Sequence, residues 1–326
     1  MIGVSEFRPA ESVPTCYYDM KNRSKSIVVV GSINTDMTIK TEWLPRPGET
    51  ILGGRFFTAQ GGKGANQAVA AARLGAPVAM IAKVGRDALG DASITSLAHE
   101  GIDTSGIVPD DVNPSGVAMI LIDAQGENVI AVASGSNMAL TAVEVEVKKN
   151  LLETADIVLM QLEIPISAIV AAAREAKRCG ATVILNPAPA PKEPLPAELL
   201  ALVDILIPNQ TEAELICGVT VSDPQSAREA AEKIAAMGIG VVVITMGAQG
   251  VFTYEAATGR SEMITAQRVQ AVDSTAAGDC FCGALAVALG RGDSLAEAVR
   301  FANRAAAISV TRRGAQPSLP YWKELQ

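Results

Sequence analysis

Histidine is almost missing from this chain. His99 is the only one in 326 residues, and its helical setting, SLAHEG, marks it as a surface residue. That argues against a serine–histidine mechanism and turns attention to carboxylates as bases. Aromatics are scarce too, at 4%, which leaves no platform of stacking side chains for nucleic acid. Basic residues are outnumbered: 27 Lys and Arg face 35 Asp and Glu, a net charge of −8. A general binder of phosphate backbones rests on the opposite balance, although a small anion in a local pocket is still allowed. No run reaches the roughly 18 to 20 consecutive apolar residues of a membrane span. The longest uncharged run, Ile234 to Tyr254, is interrupted by Gly238, Gly240, Gly247 and Gly250. It reads as a helix end, a strand, a turn and a strand. The five cysteines (Cys16, Cys179, Cys217, Cys280, Cys282) are odd in number and share no spacing. They suggest no disulfide framework, a reducing compartment and small core side chains; Cys280 and Cys282 are poorly spaced for a metal.

What the chain does have is alternation. Apolar residues make up 49% and charged ones 19%, ordinary for a soluble globule. Residues 1–24 mix charges with Pro9 and Pro14 and lack an apolar signal-peptide core; they read as a flexible extension, with cytosol as the default location. From residue 25 to 326 a single α/β domain is expected. "SIVVVGS" and "PVAMIAKVG" are short, β-branched and apolar, and a helical stretch from Ala65 to Leu74 separates them. "ADIVLMQL", "ATVILNPAP", "VDILIPN" and "GVVVITMG" continue as strands with helical segments between, and Gly278 to Arg304 is mostly helical. Such repetition predicts right-handed βαβ crossovers and a mostly parallel central sheet flanked by helices. Two stretches, 38–58 and 115–134, look like antiparallel β material without helices, the second with Gly126 in its turn. They form either a small sheet covering one edge, as a lid or dimer clasp, or mere surface decoration.

Ligands of open parallel sheets bind beyond the carboxyl ends of strands. Five polar strand ends qualify: "GSINTD", Gln161–Glu163, Asn186, Asn209 and Thr245–Gly247. "AQGGKGANQA" adds a glycine-rich entry to a helix, either a ligand cradle or a plain turn; it matches neither the phosphate loop of P-loop NTPases nor the dinucleotide fingerprint. In "VDSTAAGDCF", Asp273 and Asp279 bracket five small residues, and a helix starts at the second aspartate. Small residues there serve close packing or let a ligand reach the amides of Ala276, Ala277 and Gly278. Asp279 is either a base beside an anion hole or a counter-charge to the helix dipole.

Together these motifs resemble the ribokinase family of sugar kinases, the PfkB carbohydrate kinases, over nearly all of Ser26–Ser318. "GGKGANQA" followed by Gly75 and Gly85 is one signature; Asp-x-Thr-x-Ala-Gly-Asp at Asp273–Asp279 is the other. "GSINTD", "PRPGET", "MQLE", "NPAPA", "PNQTEAE" and "TRRGAQPS" are most similar to the ribose-phosphorylating branch. The resemblance implies ATP-dependent phosphorylation of D-ribose at its 5-hydroxyl, with Asp279 as base. It implies that Asn34, Asp36, Gly62, Lys63, Asn66 and Glu163 hold the sugar. Asn209, Thr245, Gly247, Gly250, Gly278 and Asn303 would bind ATP, with Mg²⁺ on its phosphates. Asp273, Thr275, Ser309, Arg312, Gly314 and Ser318 match a potassium loop, several through carbonyls. The two β stretches match a lid that pairs two subunits, so ribose, ATP and a second copy are the expected partners, without nucleic acid or membrane. Another acceptor (deoxyribose, fructose, adenosine) and a non-catalytic sensor of sugar or nucleotide are the alternatives.

Overall fold

The four β-branched residues Ile27–Val30 form strand β1, buried on both faces, as a central parallel strand must be. The protein is described by a computed structural model covering residues 25–191 and 193–326. The extension expected at 1–24, Cys16 included, lies outside the described residues. After β1 come β2 (Asn34–Lys40), β3 (Arg55–Gly61), α1 (Lys63–Arg73), β4 (Val78–Gly85), α2 (Ala88–His99) and β5 (Asp103–Asp110). Then follow β6 (Gly116–Ile122), β7 (Asn128–Ala133), α3 (Ala142–Val147), α4 (Lys149–Glu153), β8 (Ile157–Met160) and α5 (Ile166–Arg178). The next elements are β9 (Thr182–Leu185), α6 (Ala197–Leu200), β10 (Ile205–Leu206), α7 (Gln210–Cys217), α8 (Pro224–Ala235) and β11 (Val241–Thr245). The described chain closes with β12 (Val251–Glu255), β13 (Arg260–Ile264), α9 (Ala277–Gly290) and α10 (Leu295–Ser309).

Nine strands make the central sheet, in the order β13-β12-β11-β10-β9-β8-β1-β4-β5. All neighbours are parallel except β11–β12 and β12–β13. From β1 the chain moves outward to β4 and β5, then returns to β8 on β1's other side. That reversal leaves a crevice at the ends of β1 and β8, where open α/β sheets take their ligands. One face of the sheet is covered by α1, α9 and α10, the other by α5, α7 and α8, each with its own apolar cluster. Alanine dominates the buried helix faces, so helices sit close to the strands and to each other. At Gly283 two helices come very close: a Cβ there would lie 2.6 Å from the Gln67 carbonyl on α1. Asp279 is one turn before Gly283 and shares its face of α9. The contact that needs a glycine therefore also brings Asp279 to α1.

A second sheet has the order β3-β2-β6-β7. Its centre is a parallel pair, β2 with β6, flanked by antiparallel partners. By the pleat, Asn34, Asp36 and Thr38 face one way while Met37 and Ile39 face the other. The strands begin and end outside the 38–58 span read from sequence, and 41–54 is the loop between β2 and β3. "INTD" looks like loop because three polar residues follow one another, yet they lie on a strand with Asn34 and Asp36 on one face and Thr35 on the other. Among the described residues, no helix is long and apolar enough to cross a membrane.

Candidate active site

Ala276 caps α9 in the left-handed region, at φ 58°, a conformation that costs an alanine about 1–2 kcal/mol. This turn aims the first amides of α9 into a cavity of about 220 Å³. Ala277 N–H donates to Ser274 O at 3.2 Å, so Gly278 and Asp279 are the positions whose amides have no intrahelical partner. Asp279 is only 6% exposed. Its Oδ2 accepts Asn66 Nδ2 at 2.9 Å and its Oδ1 accepts Gln67 Nε2 at 3.0 Å. Burial pushes the Asp279 carboxyl above its ordinary range, against the pull of Lys63 and the two amides; Glu163 adds to the push.

On the small-sheet side, Glu163 Oε2 accepts Ser32 Oγ at 2.5 Å and Lys63 N at 3.1 Å. Asn34 Oδ1 accepts Asn137 Nδ2 at 2.8 Å, while Asn137 also bonds the Ile33 N–H and carbonyl. Burial, then Glu163 and Asp279, raise the Asp36 carboxyl to about 6. The Gly-Gly pair has a steric cause. A Cβ on Gly61 would lie 2.5 Å from Asp36 Oδ1; one on Gly62, at φ 88°, would lie 2.7 Å from Asn34 N. Asn66 Oδ1 is buried with no partner, a spare acceptor for a hydroxyl.

Asn186, Asn209 and Thr245, at the ends of β9, β10 and β11, line the cavity together with Lys63 and Ala276–Gly278. Asn209 and Thr245 form an isolated parallel bridge. Lys63, matched by resemblance to the sugar, faces this cavity too. Burial alone would lower its ammonium, but Asp279, Glu163 and Glu212 outweigh that and hold it above its usual value. Glu212 is missing from the sequence reading. Its Oε2 accepts Asn209 N at 2.8 Å and its own N–H returns to Asn209 Oδ1 at 2.8 Å. The Asn-x-x-Glu spacing of a capping box was the available signal. Burial raises the Glu212 carboxyl, which the Asn209 amide and Lys63 partly offset. Gly247 and Gly250 both have positive φ just after β11, and a Cβ on Gly250 would collide with Ile264 O; neither lines the cavity. Asn303 on α10 does not line it either, and its Nδ2 is buried without a partner. Cys282 does, but burial holds its thiol well above the ordinary value and pushes Cys280 to about 12. A thiol held protonated in this way is a poor nucleophile.

The potassium-loop candidates are partly together. Val310 O accepts the N–H groups of Val272 and Asp273 at 2.7 and 3.1 Å, so the segments run side by side. Asp273 Oδ1 accepts Thr275 N and Oγ1, and Oδ2 accepts Gly314 N. The hydroxyls of Ser309 and Ser318 turn back to the carbonyls of Ala306 and Ala315. The Arg312 guanidinium pairs with Glu324 and, as a cation without an acceptor, leaves only the residue's carbonyl for a metal ion. A larger groove of about 420 Å³, lined by Val143, Val147, Arg174 and neighbours, contains none of the polar strand ends. The smaller one gathers the polar strand ends around a buried carboxylate, a group that can take a proton from an alcohol while charge builds at a helix end.

A family model described as pfkB family carbohydrate kinase matches residues 24–322. The ribokinase of Haemophilus influenzae is 47% identical over 300 residues, 92% of this chain and 97% of that one. A deoxyribokinase of Salmonella typhimurium is 35% identical over 295 residues, 90% of this chain and 95% of that one. The solved structure of Arabidopsis thaliana ribokinase complexed with ribose and ATP matches with a TM-score of 0.87 at 34% identity, covering 93% and 97%.

Proposed function

The chain belongs to the pfkB family of carbohydrate kinases, and from that premise we propose that it transfers the γ-phosphoryl group of ATP to the 5-hydroxyl of D-ribose. Asp279 takes the hydroxyl proton as the sugar oxygen bonds to the γ-phosphorus. The bond from that phosphorus to the β–γ bridging oxygen breaks, and ADP leaves with the bond's electrons. The amides at the start of α9 stabilise the charge on the transferred group, and Lys63 supplies a nearby positive charge. Asn34, Asp36, Asn66 and Glu163 hold the sugar's other hydroxyls. Mg²⁺ bound with ATP would neutralise phosphate charge, held chiefly through water; among the described residues no group of three His, Cys, Asp or Glu is placed to hold a metal. The Asp273 carboxylate, together with carbonyls of the 309–314 turn that runs beside its segment, would offer oxygens that suit a monovalent cation. Potassium there would stiffen the loop before the anion hole without touching substrate.

The small sheet acts as a lid over the sugar, and its outer face is the subunit contact. Met37, Ile39, Phe56, Met119, Leu121 and Val129 share that face by register, and Phe56, Met119 and Val129 are 63, 48 and 55% exposed. Such an apolar patch marks an interaction surface. The location is the cytosol.

The observation that carries this reading is the buried Asp279 carboxylate, held by two amides at the open end of α9. Its test is Asp279→Asn, expected to lower kcat by roughly 10³-fold while calorimetric ribose affinity stays near the parent's. Retained turnover would end the base assignment. The likeness to a deoxyribokinase favours 2-deoxyribose as a second acceptor, since both sugars present the same 5-hydroxyl. Comparing ADP release with ribose, 2-deoxyribose, fructose and adenosine decides between them; ribose binding without turnover would point to a sensor.

A further inference from the structure

Gln67 makes no contact with the mouth of the site, yet it is the hub of a buried amide chain beneath it. It is 0% exposed, and both hydrogens of its Nε2 are committed. One goes to Asp279 Oδ1 at 3.0 Å, the other to Asn186 Oδ1 at 3.1 Å. Its Oε1 accepts Gln161 Nε2 at 2.6 Å. The orientation is forced from both ends. Asn186 Nδ2 donates to Ile207 O at 2.9 Å, so only its Oδ1 is turned to Gln67. Rotating the Gln67 amide by half a turn would set its carbonyl against that oxygen and against a carboxylate. Gln161 then fixes the far side, and a side chain on Gly31 would collide with Gln161 Oε1.

The chain is expensive where it stands. Gln161 Oε1 is buried with no partner, and a buried acceptor left without a hydrogen bond is destabilising. Leucines would fill the same space without that cost. What the amides provide is a donor fixed on one oxygen of Asp279, leaving Asn66 on the other.

We propose that Gln67 is a positioning residue for phosphoryl transfer, setting the rotamer of Asp279 and keeping its buried carboxylate ionised; this rests on Asp279 being the base. The charged and titratable groups facing Asp279 are Lys63 from α1, Asp36 from β2, Glu163 after β8, Glu212 from α7, and Cys280 and Cys282 from α9. Three of these are carboxylates and one is an ammonium, so the amide donors matter. Removing Gln67's N–H raises the proton affinity of Asp279, because the hydrogen bond favours the ionised form. Sugar contacts are untouched.

The test is turnover of Gln67→Leu and Gln67→Glu from pH 5 to 9, with Asp279→Asn as a control. For Gln67→Leu, kcat at pH 7.5 should fall about 10- to 100-fold with ribose KM within about threefold. The acid limb of kcat/KM, which reports the free enzyme's base, should move up by about one pH unit or more. Gln67→Glu should move it further, since two carboxylates about 3 Å apart hold a proton between them. Should Gln67→Leu fail to fold, Gln161→Met leaves Gln67 in place and removes only its anchor, and the same upward movement is expected with a smaller loss. A uniform loss at every pH with the limb unmoved would overturn the proposal, as would unchanged kcat. If Asp279→Asn keeps its turnover, the base reading falls; if Asp279→Asn is inactive while Gln67→Leu behaves as the parent, only the positioning role falls.

Discussion

Gly314 donates its N–H to Asp273 Oδ2 at 2.8 Å, across 41 residues of chain. The other oxygen takes Thr275 N and Oγ1 at 2.9 and 2.6 Å. Burial opposes ionisation here, but the Thr275 and Gly314 bonds outweigh it and hold the carboxyl below its usual range. Asp273 thus ties the segment leading into α9 to the turn after α10, with its charge kept.

If the loop holds potassium as proposed, the parent should be activated by it and Asp273→Ala should not, its turnover staying near the parent's potassium-free rate at all salt concentrations. Initial rates against KCl, with NaCl holding ionic strength constant, measure this. A variant that still responds to potassium as the parent does would place the cation elsewhere.

Asp36 titrates near 6 in the folded chain, above its ordinary 3.8. An acid raised in this way contributes stability below about 3.8 that is lost as pH rises through 6; above 6 its charge is a burden on the empty protein. Asp36→Asn should therefore melt at least about 2 °C higher than the parent at pH 8, with the gap shrinking as pH falls from 6 towards 4. Ribose KM should rise in the same variant, because a carboxylate acceptor is gone. Melting curves across that range check it, and a gap of constant size would show that Asp36 does not titrate there.

Met119→Glu puts a charge in the middle of the small sheet's outer face, opposite Met37 and Ala131. A self-associated chain should become monomeric in sedimentation at micromolar concentration, with the melting temperature of the isolated subunit little changed, as Met119 is half exposed. Association as strong as the parent's would remove this face from the contact.

Much of the frame was legible from local chemistry. Ile27–Val30, Ile157–Met160 and Val241–Ile244 are short apolar runs typical of buried strands, and the polar residues Ser32, Gln161 and Thr245 stand at or just past their ends. Asp279 was visible because a carboxylate in the first turn after several small residues is an unusual pairing. Other features depend on partners far away in sequence. Asn34 and Asp36 have the polarity of a loop, and only the pairing of β2 with β3 and β6 makes them one face of a strand. Gln67 sits in a run of alanines, where nothing local says that its amide meets residues 94, 119 and 212 positions away. The two-residue β10 is too short to carry a pattern at all.

β2 is one residue thick, and successive side chains on it belong to different neighbours: Asn34 and Asp36 to the proposed sugar site, Met37 and Ile39 to the outer face. Whatever immobilises one face immobilises the other. If a second subunit seats on the outer face, the ordering entropy of the sugar clamp is settled at assembly instead of at each binding event. By linkage, sugar would then also hold the subunits together, and apparent ribose affinity would become a function of enzyme concentration.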